Sequence, residues 1–323
     1  MSVKALAVLT AGGDAPGMNA AVRAVVRAAL ALGMRAFGIR RAYEGLAGGE
    51  ITELGARDVG GIIQRGGTIL QTARFPEFAG IEVQQEALRR LKAKGVEALV
   101  AIGGDGTMRG AAALQKLGFP VVGIPASIDN DVYGTDISIG VDTALNTILD
   151  AIDKLRDTAS SHERAFIVET MGRNCGHLAL MSGIISGAEM ILIPEQEASA
   201  EEVAEAVRSA HARGKTHAIV VVSEGAKLGA NVLKQKLDGM NTGFDFRVTI
   251  LGHVQRGGSP SAWDRLLAAR FGVAAVERLQ RGENGVMVGL SAREIIGTSL
   301  AEVASRQRAP DLEYYRMARM LAR

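Results

Sequence analysis

The chain has 323 residues, 47% of them hydrophobic and 22% charged, which are proportions of a folded globular protein and not of a disordered one. Its formal net charge of +2 is small for this length and gives no reason to expect a nucleic acid or a membrane surface as partner. No run approaches the roughly 18 apolar residues of a membrane span, and Cys175, the single cysteine, excludes an intrachain disulfide and a four-cysteine zinc site.

Short apolar runs alternate with amphipathic, alanine-rich stretches along the chain. Strands are predicted at residues 3–9, 96–102, 120–124, 165–169, 190–193 and 217–222. Helices are predicted at residues 18–32, 82–94, 107–117, 141–158 and 200–212. Continuous apolar strands that alternate with helices indicate an α/β fold with parallel sheets covered on both faces. The length exceeds that of most single domains, so two domains are expected.

Glycine-rich turns follow several of these strands, at the sheet edge where ligands of open parallel sheets bind. The first, AGGDAPG at residues 11–17, offers a bare backbone and a helix N-terminus to a phosphate. It lacks the P-loop lysine and the GxGxxG spacing, so a plain tight turn is the alternative. The second, GGDGT at residues 103–107, contains Asp105, whose carboxylate suits a hydrated Mg²⁺; the alternative is a structural turn with a capping side chain.

A third polar segment, PASIDND at residues 125–131, also follows a predicted strand. In an extended backbone Asp129 and Asp131 would point the same way, and their repulsion would require a cation or a bound proton. One carboxylate could then accept a hydroxyl proton while the other orients the site or the water shell of a metal. An Asx-rich surface turn is the alternative interpretation.

A set of five arginines next to glycines also stands out, although most arginines in any protein are solvated surface residues. The guanidinium group suits anionic oxygens because its planar fork donates several fixed hydrogen bonds. Phosphoryl transfer needs such groups to position and stabilise charge. The five are Arg74, Arg164, Arg173, Arg247 and Arg256.

Taken together, these segments resemble the bacterial ATP-dependent 6-phosphofructokinase family, in order and spacing, from about residue 3 to residue 289. The resemblance rests on LTAGGDAPGMNAA, IIQRGGTIL, TARFPEF, VAIGGDGT, SIDNDVYGTD, AIDKLRDTASSHER, VETMGRNCGH and TILGHVQRGGSPSAWDR. It implies two similar three-layer α/β/α domains with mostly parallel sheets, an active site in the cleft between them, a cytoplasmic homotetramer, and no nucleic-acid or membrane partner. The larger, ATP-binding domain would comprise residues 1–139 and 253–303, and the smaller, sugar-phosphate-binding domain residues 140–252 and 304–323.

The resemblance also implies roles for individual residues. Asp129 would be the base that takes the proton from the C1 hydroxyl of fructose 6-phosphate, assisted by Ser127 and Asp131, and Arg173 would stabilise the transferring phosphoryl group. ATP would be held by Gly13, Arg74, Phe75, Gly104, Asp105, Gly106 and Thr107, with Asp105 reaching Mg²⁺. The sugar would be held by Ser127, Ile128, Asp129, Met171, Gly172, Arg173, Glu224, His253 and Arg256. Arg164 and Arg247 would grip the 6-phosphate from a neighbouring subunit, which makes the tetramer part of the site.

Two small residues, Gly106 and Ala126, indicate whether ATP or pyrophosphate is the phosphoryl donor. Gly106 and Ala126 resemble the ATP-using members, because pyrophosphate users carry an aspartate and a lysine at these positions. Three residues depart from the usual pattern: PASIDND replaces the commoner PGTIDND, His177 replaces an aspartate, and Ala79 replaces a basic residue. We expect activity to survive the first change.

An effector site for ADP or phosphoenolpyruvate is a further implication of the resemblance. The matching positions are Arg23, Arg27, Arg156, Gly187, Glu189, Arg213, Lys215 and His217. Thr216 replaces a lysine and Gly61 replaces a common aspartate, so allosteric control stays open.

Other functions remain possible at this point. Ala126 and Ser127 lie beside the acceptor, so a related sugar-phosphate or nucleoside kinase is the first alternative. A catalytically silent, nucleotide-sensing regulatory subunit is the second, although it has no need of Asp105, Asp129, Asp131 and Arg173. A lipid or dinucleotide kinase that shares GGDGT does not account for SIDND or GHVQRGGSP.

Overall fold

The structure is a computed structural model that describes residues 3–322, and it forms two compact α/β units. The first unit comprises the residues up to Thr143 together with Arg256–Arg308, and the second comprises Ala144–Gln255 together with the residues from Ala309 onward. The predicted division at residues 139, 252 and 303 differs from these limits by three to five residues, and as a division by function it stays a prediction. No helix within residues 3–322 has the length and apolar character needed to cross a membrane.

The first unit is built on a seven-stranded sheet. In spatial order its strands are β11 (Glu294–Ser299), β10 (Val286–Ser291), β5 (Val121–Pro125), β4 (Ala98–Gly103), β1 (Ala5–Ala11), β2 (Arg35–Ile39) and β3 (Ile51–Leu54). The five inner strands run parallel, whereas each edge strand runs antiparallel to its neighbour. The carboxyl ends of β1, β4 and β5 therefore lie side by side at one edge of the sheet.

Helices cover both faces of this sheet, which explains why the central strands are apolar throughout. They are α1 (Met18–Ala31), α2 (Ala42–Gly48), α3 (Ile81–Ala93), α4 (Asp105–Lys116), α9 (Ala262–Gln280) and α10 (Leu300–Ser305). All seven residues of β1 are buried. Alternate residues of this strand pack into one core cluster with α2, α3, α4 and α10, and α1 and α9 pack against each other and contact inner strands.

The second unit is built on a four-stranded, fully parallel sheet. In spatial order its strands are β7 (Met190–Leu192), β8 (Ala218–Ser223), β6 (Arg164–Thr170) and β9 (Asp245–Ile250). The helices are α5 (Val141–His162), which begins in the first unit, α6 (His177–Ser186), α7 (Ala200–Ala212), α8 (Ala230–Leu237) and α11 (Leu312–Leu321). The side chains of α7 and α8 complete a core cluster with β6 and β8.

The α/β fold class is confirmed, and each predicted strand and helix exists with ends that differ by up to four residues. Helix α1 buries Val22, Val25 and Val26 as predicted, while Leu30 is only half-buried. The elements not predicted include β2, β3, α6, α8 and every element from β9 to the end of the chain.

Candidate active site

Three loops of the first unit enclose a cavity of about 220 Å³. The loops follow β1, β4 and β5, so the parallel register of these strands brings them to one edge. The cavity is lined by Gly12, Gly13, Asp14, Gly104, Asp105, Gly106, Thr107, Ala126, Ser127, Ile128, Asp129, Asp131 and Arg256. Except for Arg74 and Phe75, every residue predicted to bind ATP lines this cavity, as do the predicted catalytic residues Asp129 and Asp131.

The loop after β4 brings backbone and a carboxylate to the cavity. Gly103 must be glycine because a Cβ there would collide with the carbonyl of Ala11 and with Thr107. Helix α4 begins at Asp105, so its N-terminal N–H groups and positive dipole end face the cavity side of the sheet. Such an end favours a bound anion.

Asp105 is the carboxylate best placed for a cation. Within residues 3–322 its buried Oδ1 has no hydrogen-bond partner, while its Oδ2 accepts a bond from Nε2 of Gln307 at 3.4 Å. Burial, and then the nearby charge of Asp131, raises the pKa of Asp105 above the usual carboxyl range. A cation beside Asp105 would offset both effects.

The loop after β5 does not have the extended form that the sequence analysis assumed. Asn130, between the two aspartates, has φ +53° and lies in the left-handed region, so the extended-strand argument for Asp129 and Asp131 is wrong. The segment turns around Ser127 instead. The hydroxyl of Ser127 donates to Oδ1 of Asp131 at 3.1 Å and accepts a bond from the backbone N–H of Asp129 at 3.3 Å. Both carboxylates still reach the same cavity.

Arg256 lies against the first glycine loop. A Cβ on Gly13 would collide with its guanidinium group, so glycine at this position is a condition for the close approach. Within the described part of the chain, Nε of Arg256 is buried without a hydrogen-bond partner. The sequence assigned Arg256 to the sugar, and the structure places it in the same cavity as the glycine loops.

Arg74 and Phe75 do not line the cavity. Their segment is tied to it, because Thr72 donates from its hydroxyl to the carbonyl of Gly12 at 2.7 Å. Arg74 is exposed, and Phe75 packs partly against the core next to Phe78. Phe78 stacks on Tyr43 at 4.3 Å between ring centroids, and the Tyr43 hydroxyl donates to the carbonyl of Thr107 at 2.6 Å.

The second unit carries the predicted phosphoryl-stabilising loop after β6. Met171 is buried, and its N–H donates to Oε1 of Gln255 at 3.2 Å. The hydroxyl of Ser223 donates to the carbonyl of Gly172. Arg173, by contrast, leaves 82% of its side chain exposed, and its nearest acidic group is Glu224 at 3.9 Å. The backbone of this loop is therefore fixed while its arginine can reach outward.

Arg164 and Arg247 do not join that loop. Arg164 is the first residue of β6, so six residues, or about 20 Å of strand, separate it from Thr170 at the carboxyl end. Arg247 lies in β9 opposite Phe166 and bonds to Asp245 at 2.9 Å. His253 is exposed in the short 3₁₀ helix Gly252–Arg256.

The predicted effector residues of the second unit lie near one another. Lys215 bonds to the buried Glu189 at 2.7 Å, and Arg156 donates to the carbonyl of Ser186. Nδ1 of His217 is 3.1 Å from the hydroxyl of Ser160. Burial, and then the charge of Arg156, lowers the pKa of His217.

Gly187 and Arg213 also belong to the second unit, and Arg213 lines one cavity with Glu189. Gly187 ends α6 with φ +66°. Arg213 donates to the carbonyl of Ala322 at 3.1 Å. Arg23 and Arg27 belong to α1 of the first unit.

Two kinds of residue were missed by the sequence analysis. Asp14 lines the cavity, and its place in AGGDAPG was a usable signal. Gln307 and Arg308 contact the acidic loops from 170 or more residues away along the chain, and no local pattern marks them.

Among the residues that depart from the usual family pattern, Ala126 is buried, and its N–H donates to the carbonyl of Gly103 at 3.0 Å.

Comparison with known proteins gives consistent results. The family model described as Phosphofructokinase matches residues 5–279. The chain is 49% identical over 320 residues to the ATP-dependent 6-phosphofructokinase of Bacillus pumilus, covering 99% of this chain and 100% of that protein. It is 53% identical over 323 residues to ATP-dependent 6-phosphofructokinase 1 of Thermus thermophilus, with 99% and 100% covered.

Solved structures with the same fold include two phosphofructokinases. The enzyme from Saccharomyces cerevisiae has a TM-score of 0.87 and 39% identity; the match covers 94% of this chain and 45% of that longer chain. The pyrophosphate-dependent phosphofructokinase from Marinobacter aquaeolei has a TM-score of 0.86 and covers 97% and 86%, but at 22% identity it shows the fold alone.

Proposed function

This chain belongs to the phosphofructokinase family, and we propose that it transfers the γ-phosphoryl group of ATP to the C1 hydroxyl of fructose 6-phosphate. The products are fructose 1,6-bisphosphate and ADP, and the reaction is a step of glycolysis. The observation that carries the proposal is that two glycine-rich loops and the carboxylates of Asp105, Asp129 and Asp131 line one cavity. Phosphoryl transfer needs this combination of phosphate-binding backbone, a cation-binding carboxylate and a base.

Asp129 is the proposed base. As the C1 oxygen attacks the γ-phosphorus, its proton passes to the Asp129 carboxylate, and the bond from the γ-phosphorus to the bridging oxygen breaks to release ADP. Ser127 links the two acidic residues, because it donates to Asp131 and accepts from the N–H of Asp129. We expect Asp131 to orient the base through this link, and Arg173 to stabilise the charge on the transferring group.

Mg²⁺ fits this site as the cation that accompanies ATP. Mg²⁺ of this kind is held by one or two carboxylates, phosphate oxygens and water. Asp105 is the proposed ligand because its Oδ1 is buried without a partner in the described chain. When bound, Mg²⁺ neutralises phosphate charge.

The preference for ATP is assigned to Gly106 and Ala126, which border the cavity. A Cβ at Gly106 would meet only Nη2 of Arg109 at 3.8 Å, so the fold itself does not require glycine there. We therefore attribute the absence of a side chain at Gly106 to the space that a bound nucleotide needs. Arg74 and Phe75, next to the tied segment at Thr72, are proposed to contact the nucleotide farther from the phosphates.

The residues proposed to bind the sugar phosphate are Ser127, Ile128, Asp129, Met171, Gly172, Arg173, Glu224, His253 and Arg256. Arg164 and Arg247 would serve the site of a neighbouring copy in a homotetramer. Their position in β6 and β9, away from the carboxyl end of β6, supports this, because they are far from Met171 and Arg173 of their own chain. We place the reaction in the cytoplasm, where ATP is supplied.

An anion-binding effector site is proposed at Arg156, Gly187, Glu189, Arg213, Lys215 and His217. Arg23 and Arg27 are the two other residues that the resemblance assigns to effector binding. Besides burial, the charges of Arg156 and Lys215, which lie close to His217, lower its pKa, and this grouping of cationic side chains supports the proposal. Thr216 brings no positive charge, so a lower anion affinity than with a lysine is expected.

The direct test is the initial rate with fructose 6-phosphate and Mg²⁺, with ATP and pyrophosphate compared as donors. Fast turnover with ATP alone is the expected result. Turnover with pyrophosphate alone would overturn the roles of Gly106 and Ala126. If neither donor supports turnover while ATP binds, the chain is a nucleotide-sensing subunit or uses another acceptor, which a panel of sugar phosphates and nucleosides distinguishes.

A further inference from the structure

A short segment near the end of the chain runs alongside the loop that carries the proposed base. The segment, here called the strap, consists of residues 306–308 and follows α10. Gln307 forms an antiparallel bridge with Val132, and the N–H of Arg308 donates to the carbonyl of Asp131 at 3.0 Å. After Arg308 the chain continues into the second unit.

The side chain of Arg308 holds the far end of the same loop. Its Nη1 donates to the carbonyl of Thr135 at 2.8 Å and also to the carbonyl of Asp136. The amide of Asn130 donates to the same Asp136 carbonyl at 3.2 Å, and its Oδ1 accepts from the N–H of Ser138 at 3.0 Å. Arg308 and Asn130 therefore share one anchoring point within the loop.

That anchor matters because Asn130 has a left-handed backbone between the two catalytic carboxylates. A non-glycine residue keeps this conformation only where its surroundings hold it. Without the shared anchor, the loop would relax and Asp129 and Asp131 would change their directions.

The other two strap residues are anchored as well. Gln307 donates to Oδ2 of Asp105, which leaves Oδ1 of that carboxylate for a cation. Arg306 lies over the ring of Tyr133, with 5.1 Å from Cζ to the centroid, and also donates to its hydroxyl at 2.7 Å. Glu302 completes this group through a 3.0 Å ion pair with Arg306.

We propose that the strap positions the acidic groups of the active site, and that Arg308 is the positioning residue for Asp129 and Asp131. This role rests on the proposed function for its catalytic consequence, although the contacts themselves do not depend on it. Arg308 touches no substrate in this account. It acts by fixing the backbone of residues 129–136.

The test compares R308M, which keeps the length of the side chain without its donors, with R308K, which keeps a charge and a donor. R270M is the matched control, because Arg270 also donates from its guanidinium to a loop carbonyl, that of Arg293, in the same unit. Amide hydrogen exchange of residues 127–140 should rise about 10- to 100-fold in R308M, the range for losing a charged hydrogen bond. It should stay unchanged in R270M and rise less in R308K.

The turnover number should fall most in the variant whose amide hydrogen exchange rises most. R308M should lose about tenfold or more in kcat while it binds the Mg²⁺–nucleotide analogue with the same stoichiometry as wild type, and R308K should recover much of that loss. Unchanged exchange in R308M, or an equal loss of kcat in R270M, would overturn the proposal. A wild-type chain that phosphorylates no sugar would instead refute the proposed function, and the exchange result would still decide whether the strap holds the loop.

Discussion

We infer that the glycine at position 106 is needed for nucleotide binding and not for folding, and a substitution there can distinguish the two. Gly106 is the second residue of α4, and a Cβ there would have ordinary contact with Arg109 only. An aspartate in the first turn of a helix is favourable by about 0.3–1 kcal/mol. Because repulsion from Asp105 opposes this gain, we expect G106D to keep a melting temperature close to that of wild type, while kcat/KM for ATP falls about 10- to 100-fold through repulsion of the phosphates.

The control for this prediction is N231D, which adds the same charge in the exposed first turn of α8. Steady-state kinetics and thermal melts of the three proteins test it together. Wild-type ATP kinetics in G106D would contradict the account of donor choice.

The proposed base gives a second prediction at this scale. D129N keeps the size of the side chain but cannot accept the hydroxyl proton, so kcat should fall by about 10²- to 10⁴-fold, the usual contribution of a general base. Binding of Mg²⁺–ATP, followed calorimetrically, should stay close to that of wild type. A rate within a few fold of wild type would exclude Asp129 as the base.

His217 provides a pH-dependent prediction. Its pKa is lowered by burial and then by the charge of Arg156, so the free protein holds this imidazole neutral at neutral pH. An anion bound beside His217 favours the charged form, and binding therefore takes up a proton. Affinity for sulfate, whose own charge is constant in this range, should increase as the pH falls from about 8 to 6.

The variant H217N should lose this pH dependence, whereas H162N, at an exposed histidine of the same unit, should keep it. Titration calorimetry of sulfate at several pH values makes the comparison. A sulfate affinity that is independent of pH in the wild-type protein would remove His217 from the anion site.

At the scale of elements, a carboxylate on α9 caps the start of α5. Asp264 is fully buried and accepts bonds from the N–H groups of Gly140 and Thr143, at 2.8 and 2.9 Å, and from the Thr143 hydroxyl at 2.5 Å. D264A removes the carboxylate that these two backbone N–H groups bond to, so the free energy of unfolding should fall by about 2–5 kcal/mol.

Urea denaturation measures this loss. D264N should cost less, since its amide oxygen still accepts, and D150A on the exposed face of α5 should change stability by at most about 0.5 kcal/mol. A loss in D264A no larger than that in D150A would show that the cap contributes little.

The elements that could be predicted from the sequence share one property, a clear apolar period or run. Strands such as β4 and β8 are buried on both faces and read as continuous apolar segments. Helix α9 could not be recognised in this way, because it exposes Trp263, Leu266 and Val273 while burying its opposite side against α1. Strand β9 likewise mixes exposed and buried residues without regular alternation.

At the scale of the whole molecule, the glycine loops and acidic residues of the site could be predicted because they follow strands of one parallel sheet. The geometry of Asp129 and Asp131 could not, since the left-handed Asn130 depends on contacts with Asp136 and Ser138. The contacts of the strap could not be predicted either, because Arg308 and Thr135, which it bonds to, are 173 residues apart in the sequence. Resemblance to a family therefore predicts the residues of the motifs, whereas contacts between residues far apart in the sequence become visible only in the three-dimensional structure.

The last prediction concerns the assembly of copies. If Arg247 serves the site of a neighbouring subunit, D129N and R247M are each inactive alone but complementary when mixed. In a mixed pair, one site receives Asp129 from the R247M chain and Arg247 from the D129N chain, and the other site receives neither. Random pairing at equal amounts should then restore about a quarter of the wild-type sites.

Refolding the two variants together and measuring kcat against the separately refolded proteins tests this directly. Recovery near a quarter of wild-type activity supports shared sites, because no single chain in the mixture carries both residues. Activity that stays at the sum of the separate variants, in a mixture shown by mass spectrometry to contain hybrid assemblies, would mean that each chain uses its own Arg247. The exposed position of Arg247 in β9, opposite Phe166 and away from the loop of Arg173, favours the first outcome.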